Sequence, residues 1–416
     1  MRYDAGVWNT DQERHRGVAD EAQMKITRVR PWIVQGPPEE AGSVDPSGNP
    51  RRSSYVFVQV ETDEGLTGWG EITTYPGTIA NRTIAAALRE LDGLLQGDDP
   101  TQVEKLWHKV FRAYTYLGTR GAVTAMISGI DIACWDIKAQ ALGAPIYELL
   151  GGKIRENVQL YTHFLYAQSV DEMVQNAVGE VGRGSTAIKT DPFIAAGGAA
   201  MLEQHTAYTD GQIDREVENR GVAMIEGIRK AVGPDIQVLI DAHAMYNVPT
   251  AVRLATRLAP YDITWFEEPV PPESYEALQA VRNQVPVRIC VGERLYTRFE
   301  FLPVLNRNLT DYVMPDVTWT GGISELKKIA TLAETFYIPI SPHDASGPIN
   351  LMAGAQVAIT VPNFYRLEAR RVKLDFYNAF LEEPLTVQSD ALVVPNRPGL
   401  GVKIDLEYLK AHQIDG

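Results

Sequence analysis

Repeated strand–helix units closed into a barrel, set behind a separate α+β domain, are what this sequence predicts, and three observations carry that reading. Asp241, Glu267 and Glu293 recur at equal intervals of 26 residues, and each follows a short apolar run, at 237–240, 263–266 and 288–292. From about Val158 the chain repeats strand, loop and helix, with eight strand candidates ending near His163, Lys189, Asp241, Glu267, Glu293, Asp316, His343 and Glu368. Before that point strands and helices are segregated, the pattern of an α+β domain. Eight parallel strands make a TIM-type (β/α) barrel of roughly 250 residues, and 416 residues leave room for a second domain.

Taken in order, residues 1–23 read as a polar, disordered leader. An α+β capping domain follows at 24–154, the (β/α) barrel at 155–384, and a tail at 385–416 that packs back on the capping domain. Alternating and β-branched residues at 25–34 and 54–62 predict a hairpin across a Pro/Gly/Ser-rich loop at 36–53. Asp99 and Pro100 open a helix whose apolar stripe is Val103, Leu106, Trp107, Val110, Phe111 and Tyr114. A second helix is predicted over 122–141. The second barrel unit is long, and its surplus at 193–212 is expected to hang over the strand ends.

The net charge of −14 argues against nucleic acid or an anionic membrane as partner. No apolar run reaches membrane-spanning length. The two cysteines, Cys134 and Cys290, lie in apolar runs and fit a reducing cytoplasm.

In a parallel barrel all strand ends of one polarity meet at one face, so Asp241, Glu267 and Glu293 converge. One acid at a strand end is ordinarily a solvated residue or a helix cap; three in matched register are not. Such carboxylates repel unless a cation joins them, and a hard divalent ion, Mg²⁺, is the simplest answer, one per subunit. Strand alternation turns Lys189 with Asp191, and Asp241 with His243, toward the same face. Asp316 ends the strand before His343 and is placed to orient it and make it basic, as a catalytic base requires. A triad-bound metal can hold a substrate carboxylate and absorb the charge that appears when the adjacent carbon loses its proton.

These residues resemble the enolase superfamily, and within it the mandelate racemase subgroup. The match runs from Met24 onward and includes Ser128 to Lys138 (SGIDIACWDIK), Glu148 to Lys153 (ELLGGK), Trp265 to Pro269 (WFEEP), Val291 to Glu293 (VGE) and Asp316 to Gly322 (DVTWTGG). The resemblance implies a modified, (β/α)7β-like barrel. Asp241-Ala-His243, Ser341-Pro-His343 and Leu367-Glu368 look like acid-sugar dehydratases of the galactonate kind. It implies Asp241, Glu267 and Glu293 as Mg²⁺ ligands, His343 with Asp316 as the base, His243 as the acid, and Glu368 as a protonated donor to the substrate carboxylate. Lys189 would stabilise the enediolate, with Asp191, Arg294 and Trp319 as substrate contacts.

Two departures matter. Racemases of the subgroup carry Lys-x-Lys on the second strand, whereas this chain has Lys189-Thr190-Asp191, which leaves one basic face and favours elimination. Related dehydratases often follow the histidine with Gly-Arg; here Ala244 and Met245 follow His243. The expected activity is removal of water from an aldonate or related acid sugar to give a 2-keto-3-deoxy acid. The alternatives are an epimerase, racemase or cycloisomerase on the same intermediate, or a low-activity metal-binding sensor. The partner is a small molecule, in a homo-oligomer.

Overall fold

The structure, a computed structural model, describes residues 23–38, 52–72, 78–163, 167–194, 210–369 and 374–414. Residues 1–22 of the expected leader and the segments 39–51, 73–77 and 195–209, which include most of the loops expected at 36–53 and 193–212, lie outside the described residues.

The first sheet is larger than the expected hairpin. β1 (Ile26–Pro38) and β2 (Arg52–Thr62) pair antiparallel, and β2 also pairs with β3 (Thr67–Glu71), which the sequence reading did not anticipate because two of its five residues are glycines. Three helices cover this sheet. α2 (Val103–Ala113) and α3 (Ala122–Ala141) fall where expected, whereas α1 (Thr78–Leu95) replaces what read as loop to residue 81. Its face of Ile84, Leu88, Leu91 and Leu95 joins Val56, Val58 and Val60 of β2 in one apolar core.

The barrel begins with β4 (Val158–His163), β5 (Ala187–Thr190), β6 (Gln237–Asp241), β7 (Trp265–Glu267), β8 (Ile289–Val291) and β9 (Tyr312–Val313), each parallel to the next. Single bridges continue the pairing from Val313 to Ile340, from Asp316 to His343, and from Ile340 to Phe364. β10 (Leu367–Ala369) then pairs parallel with β4. Three of the helices between strands start on side-chain caps: Ser169, Asn247 and Ser274 each accept a backbone N–H three residues on.

Tyr161, Leu239, Trp265, Cys290 and Met314 form a small cluster of their own, distinct from the layer between strands and helices. Trp265 meets Tyr161 edge to face at 5.6 Å and Tyr312 at 5.1 Å. This aromatic plug makes the barrel a filled scaffold beneath its mouth.

α3 lies against the barrel helix Gly322–Glu334. Asp131 accepts Ser324 N at 3.0 Å and Ser324 Oγ at 2.5 Å, Trp135 donates to Ser324 Oγ, Ser128 accepts Gly321 N, and Trp107 donates to Gly321 O. A Cβ at Gly322 (φ 82°) would stand 2.3 Å from Asp131 Oδ1, so the Gly-Gly pair is what lets the two signature segments interlock.

The tail divides its contacts. β11 (Val387–Gln388) and β12 (Ala391–Leu392) form a hairpin whose second strand runs antiparallel to β4 of the barrel. Only afterwards does the helix Leu406–His412 reach β1, where Ile414 N donates to Ile33 O at 2.9 Å.

Candidate active site

Asp241 and Glu267 end their strands in register with each other. Glu293 does not end its strand. β8 stops at Val291, because Gly292 (φ 142°) turns the chain against Met314, and Glu293 stands two residues beyond. The turn still delivers its carboxylate: one oxygen of each of the three acids lies within 4.8 Å of the others, and all three residues are buried.

The cations around this triad come from neighbouring strands. Lys189, fully buried, places Nζ 2.7 Å from Glu267 Oε1, 3.0 Å from Glu368 Oε1 and 3.4 Å from Asp241 Oδ2. Burial alone would lower its pKa, but these carboxylates raise it well above the ordinary value, so it stays charged. Arg294 Nε lies 3.1 Å from Glu293 Oε1, and its Nη2 donates to His243 O at 3.1 Å. Trp265 Nε1, at the top of the plug, donates to Glu267 Oε2 at 2.9 Å.

Two histidines flank the triad, each held at Nδ1 by a buried carboxylate. His343 Nδ1 lies 2.7 Å from Asp316 Oδ2, and its Nε2 lies 3.0 Å from Glu293 Oε2. Burial opposes its charge, yet Glu368 and Glu293 and its hydrogen bonds to Asp316 and Glu293 raise its pKa well above the ordinary value. His243 Nδ1 lies 2.7 Å from Asp191 Oδ2, and its Nε2 lies 3.4 Å from Asp241 Oδ2. Its pKa is also raised, against burial, by Asp241 and Asp191. His243 and Ala244 both adopt left-handed backbone (φ 49° and 56°), a strained turn that folds the imidazole back over its own strand end. Asp191 spends its other oxygen on Phe193 N, so its direct partner is His243. Met245 is buried in the core.

Glu368 corrects an expectation. A protonated donor was expected from burial beside an anion. Burial does push its pKa up, but Lys189, His343 and His163 outweigh it and hold the carboxyl well below the ordinary value. It accepts from Tyr161 Oη at 2.8 Å and sits 3.2 Å from His163 Nδ1. Tyr161 and His163 went unnoticed as site residues, although their alternation on β4 (Tyr161-Thr162-His163) was the available signal. Asn350, which donates to both oxygens of Asp316, carried no sequence signal at all.

A cation fits the triad on three counts. Its donors are all carboxylate oxygens, suited to a hard ion. Asp241 Oδ2 is buried and has no hydrogen-bond partner. Burial and the charge of Asp241 raise the pKa of Glu267 well above the ordinary value, the mark of a site short of positive charge.

Beside Glu293 opens a cavity of about 410 Å³, the size of a small-molecule site. Its barrel side is Glu293, Arg294, Tyr296 and Trp319; its roof is Ala80, Thr83 and Ile84 of α1 with Ala122 and Ala125 of α3. Trp319 also faces the His343 ring at 5.3 Å. The predicted substrate contacts Arg294 and Trp319 therefore line this space.

Comparison with known proteins agrees with this picture. Residues 172–409 match the enolase C-terminal domain-like family, and residues 45–151 match the mandelate racemase/muconate lactonizing enzyme N-terminal domain. The chain is 33% identical to D-xylonate dehydratase of Haloferax volcanii, over 87% of this chain and 86% of that protein. It is 34% identical to D-galactarolactone cycloisomerase of Agrobacterium fabrum, over 93% and 98%. A solved structure of an enolase superfamily member from Salmonella Typhimurium superposes with a TM-score of 0.82 at 27% identity, covering 93% of this chain and 98% of that one.

Proposed function

The chain belongs to the mandelate racemase/muconate lactonizing enzyme group of the enolase superfamily, and from that premise we propose that it is a Mg²⁺-dependent acid-sugar dehydratase acting in the cytoplasm. The observation that carries the choice of reaction is the 2.7 Å contact between Asp191 and His243. Where racemases of the subgroup carry a second lysine, this chain carries a carboxylate, Asp191, that fixes a histidine through Nδ1. The second face then offers His243 as a proton donor opposite His343, and one base with one acid is the requirement for elimination rather than inversion.

Asp241, Glu267 and Glu293 would hold the ion. Such an ion would supply the positive charge that receives the substrate carboxylate. His343 Nε2 takes the proton on the carbon next to the carboxylate, with Asp316 fixing the ring through Nδ1. Lys189, whose pKa its carboxylate neighbours raise, stabilises the enediolate. His243 gives its Nε2 proton to the departing hydroxyl, which leaves as water, and the enol product relaxes to a 2-keto-3-deoxy acid. Glu368 remains ionised and fixes Lys189 and His163 rather than donating to the substrate. Arg294 takes the place of the arginine absent after His243 and, with Trp319, contacts the sugar.

A library of aldonates, aldarates and uronates incubated with Mg²⁺ and assayed with semicarbazide tests this reading. We expect 2-keto acid from one substrate or a narrow set. The cycloisomerase named among the relatives favours one second reading, lactone isomerisation at the same site. An acid-sugar lactone consumed without any semicarbazone, alongside a blank aldonate series, would select it and overturn dehydration.

A further inference from the structure

The barrel helix Pro348–Ala358 begins without a cap of its own. Its N-cap residue is Gly347, which has no side chain to accept from the first turn. The acceptor arrives from the other domain. Glu71, fully buried at the end of β3, reaches across the seam, and its Oε2 accepts Ile349 N at 3.2 Å and Asn350 N at 3.1 Å. A Cβ at position 347 would stand 2.6 Å from Glu71 Oε1, so the glycine makes room for the incoming carboxylate. A negative charge at this helix start is also electrostatically favourable.

The residue so fixed leads straight to the site. Asn350 Nδ2 donates to Asp316 Oδ1 at 3.3 Å and Oδ2 at 3.2 Å. Thr318 holds Oδ1 from the other side through its N at 2.8 Å and its Oγ1 at 2.6 Å. Asp316 Oδ2 then holds His343 Nδ1 at 2.7 Å. A continuous series of hydrogen bonds thus joins the capping sheet to the imidazole.

We propose that Glu71 is a positioning residue for His343: by capping a barrel helix from the capping domain it sets Asn350, and through Asn350 the Asp316–His343 pair. The base is aligned only when the capping sheet is seated. This rests on His343 being the base, so the test includes a readout independent of turnover. In protein labelled with ¹⁵N-histidine, the Nδ1–H proton of His343, identified by its loss in His343→Asn, reports the bond to Asp316. Glu71→Ala is expected to shift or broaden that resonance and to lower kcat roughly tenfold or more while KM changes little. Adding Gly347→Ser in the Glu71→Ala background, where the blocking carboxylate is gone, gives the helix a cap of its own and is expected to restore both. An unmoved resonance and unchanged kcat in a folded Glu71→Ala protein would overturn the proposal, as would failure of Gly347→Ser to restore them in a double variant that still folds. Should the wild type turn over no acid sugar, the dehydratase reading fails, and the resonance still decides the role of Glu71.

Discussion

The acidic triad at the barrel mouth and the seam beneath the capping domain both bury carboxylates, and they meet them with different donors. At the seam, Asp131 accepts Ser324 N, Asp136 accepts Trp69 N and Leu400 N, and Glu71 accepts Ile349 N and Asn350 N. Each of these oxygens has fixed backbone donors that no chemistry can remove. At the mouth, Glu267 and Glu293 are met by side chains alone, Lys189 and Trp265 for one, Arg294 and His343 for the other. Asp241 has one backbone donor, from His243, and one oxygen with none. Burial alone is therefore a poor guide to the role of an acidic residue; the donors around it differ between the acids that join the two domains and the three that form the triad.

The largest expected effect of a substitution lies at Glu267. Glu267→Gln should abolish turnover of any acid sugar found. It should also abolish the Mg²⁺-dependent rise in Tm, which for the wild type at a hundredfold excess over Kd corresponds to about 2.7 kcal/mol. In EDTA the variant should melt no lower than the wild type, because burial and the neighbouring charge of Asp241 work against a carboxylate at this position. A lower melting point in EDTA would place Glu267 with the seam acids. At the second step, His343→Asn should slow exchange of the α-proton with deuterated water by about 10²- to 10⁴-fold, the range for loss of a general base. Exchange measured by NMR at the wild-type rate would move the base elsewhere.

The smallest effect belongs to the seam. Burial raises the Asp131 carboxyl, despite its bonds from Ser324, to about 7. Its folded value lies above the unfolded one of about 3.9, so the stability it confers is complete below about pH 4 and is lost as pH rises through about 7. Asp131→Asn keeps an acceptor for Ser324 N and carries no charge. The decline in Tm across this window should be shallower in the variant, with turnover little changed. An identical pH slope would show that Asp131 does not titrate there.

What could be read from the sequence followed the same division. The equal spacing of Asp241, Glu267 and Glu293 survives in space because two of them lie in paired strands, and the third is returned by the Gly292 turn. His243 and His343 were legible because each has an acid that strand alternation or strand order brings near. The ionisation of Glu368 was not legible, because it depends on Lys189, His163 and His343 arriving together from three other elements. α1 was missed because its start reads as turn, and β3 because Gly68 and Gly70 suppress the strand pattern. The SGIDIACWDIK and DVTWTGG segments stood out as signatures, yet only the fold shows that much of what they specify is mutual fit at the seam, through Ser128, Asp131, Gly321 and Gly322.

The contact of Ile414 with Ile33 bears on biogenesis. β1 is an edge strand, and its outer rim is met by residues 413 and 414, made almost a whole chain later. On a ribosome adding about 5–20 residues per second, that rim waits on the order of tens of seconds with hydrogen-bonding groups exposed to any other extended chain. The stretch of β1 around Ile33 and Val34 is thus open to mispairing until residues 413 and 414 reach it.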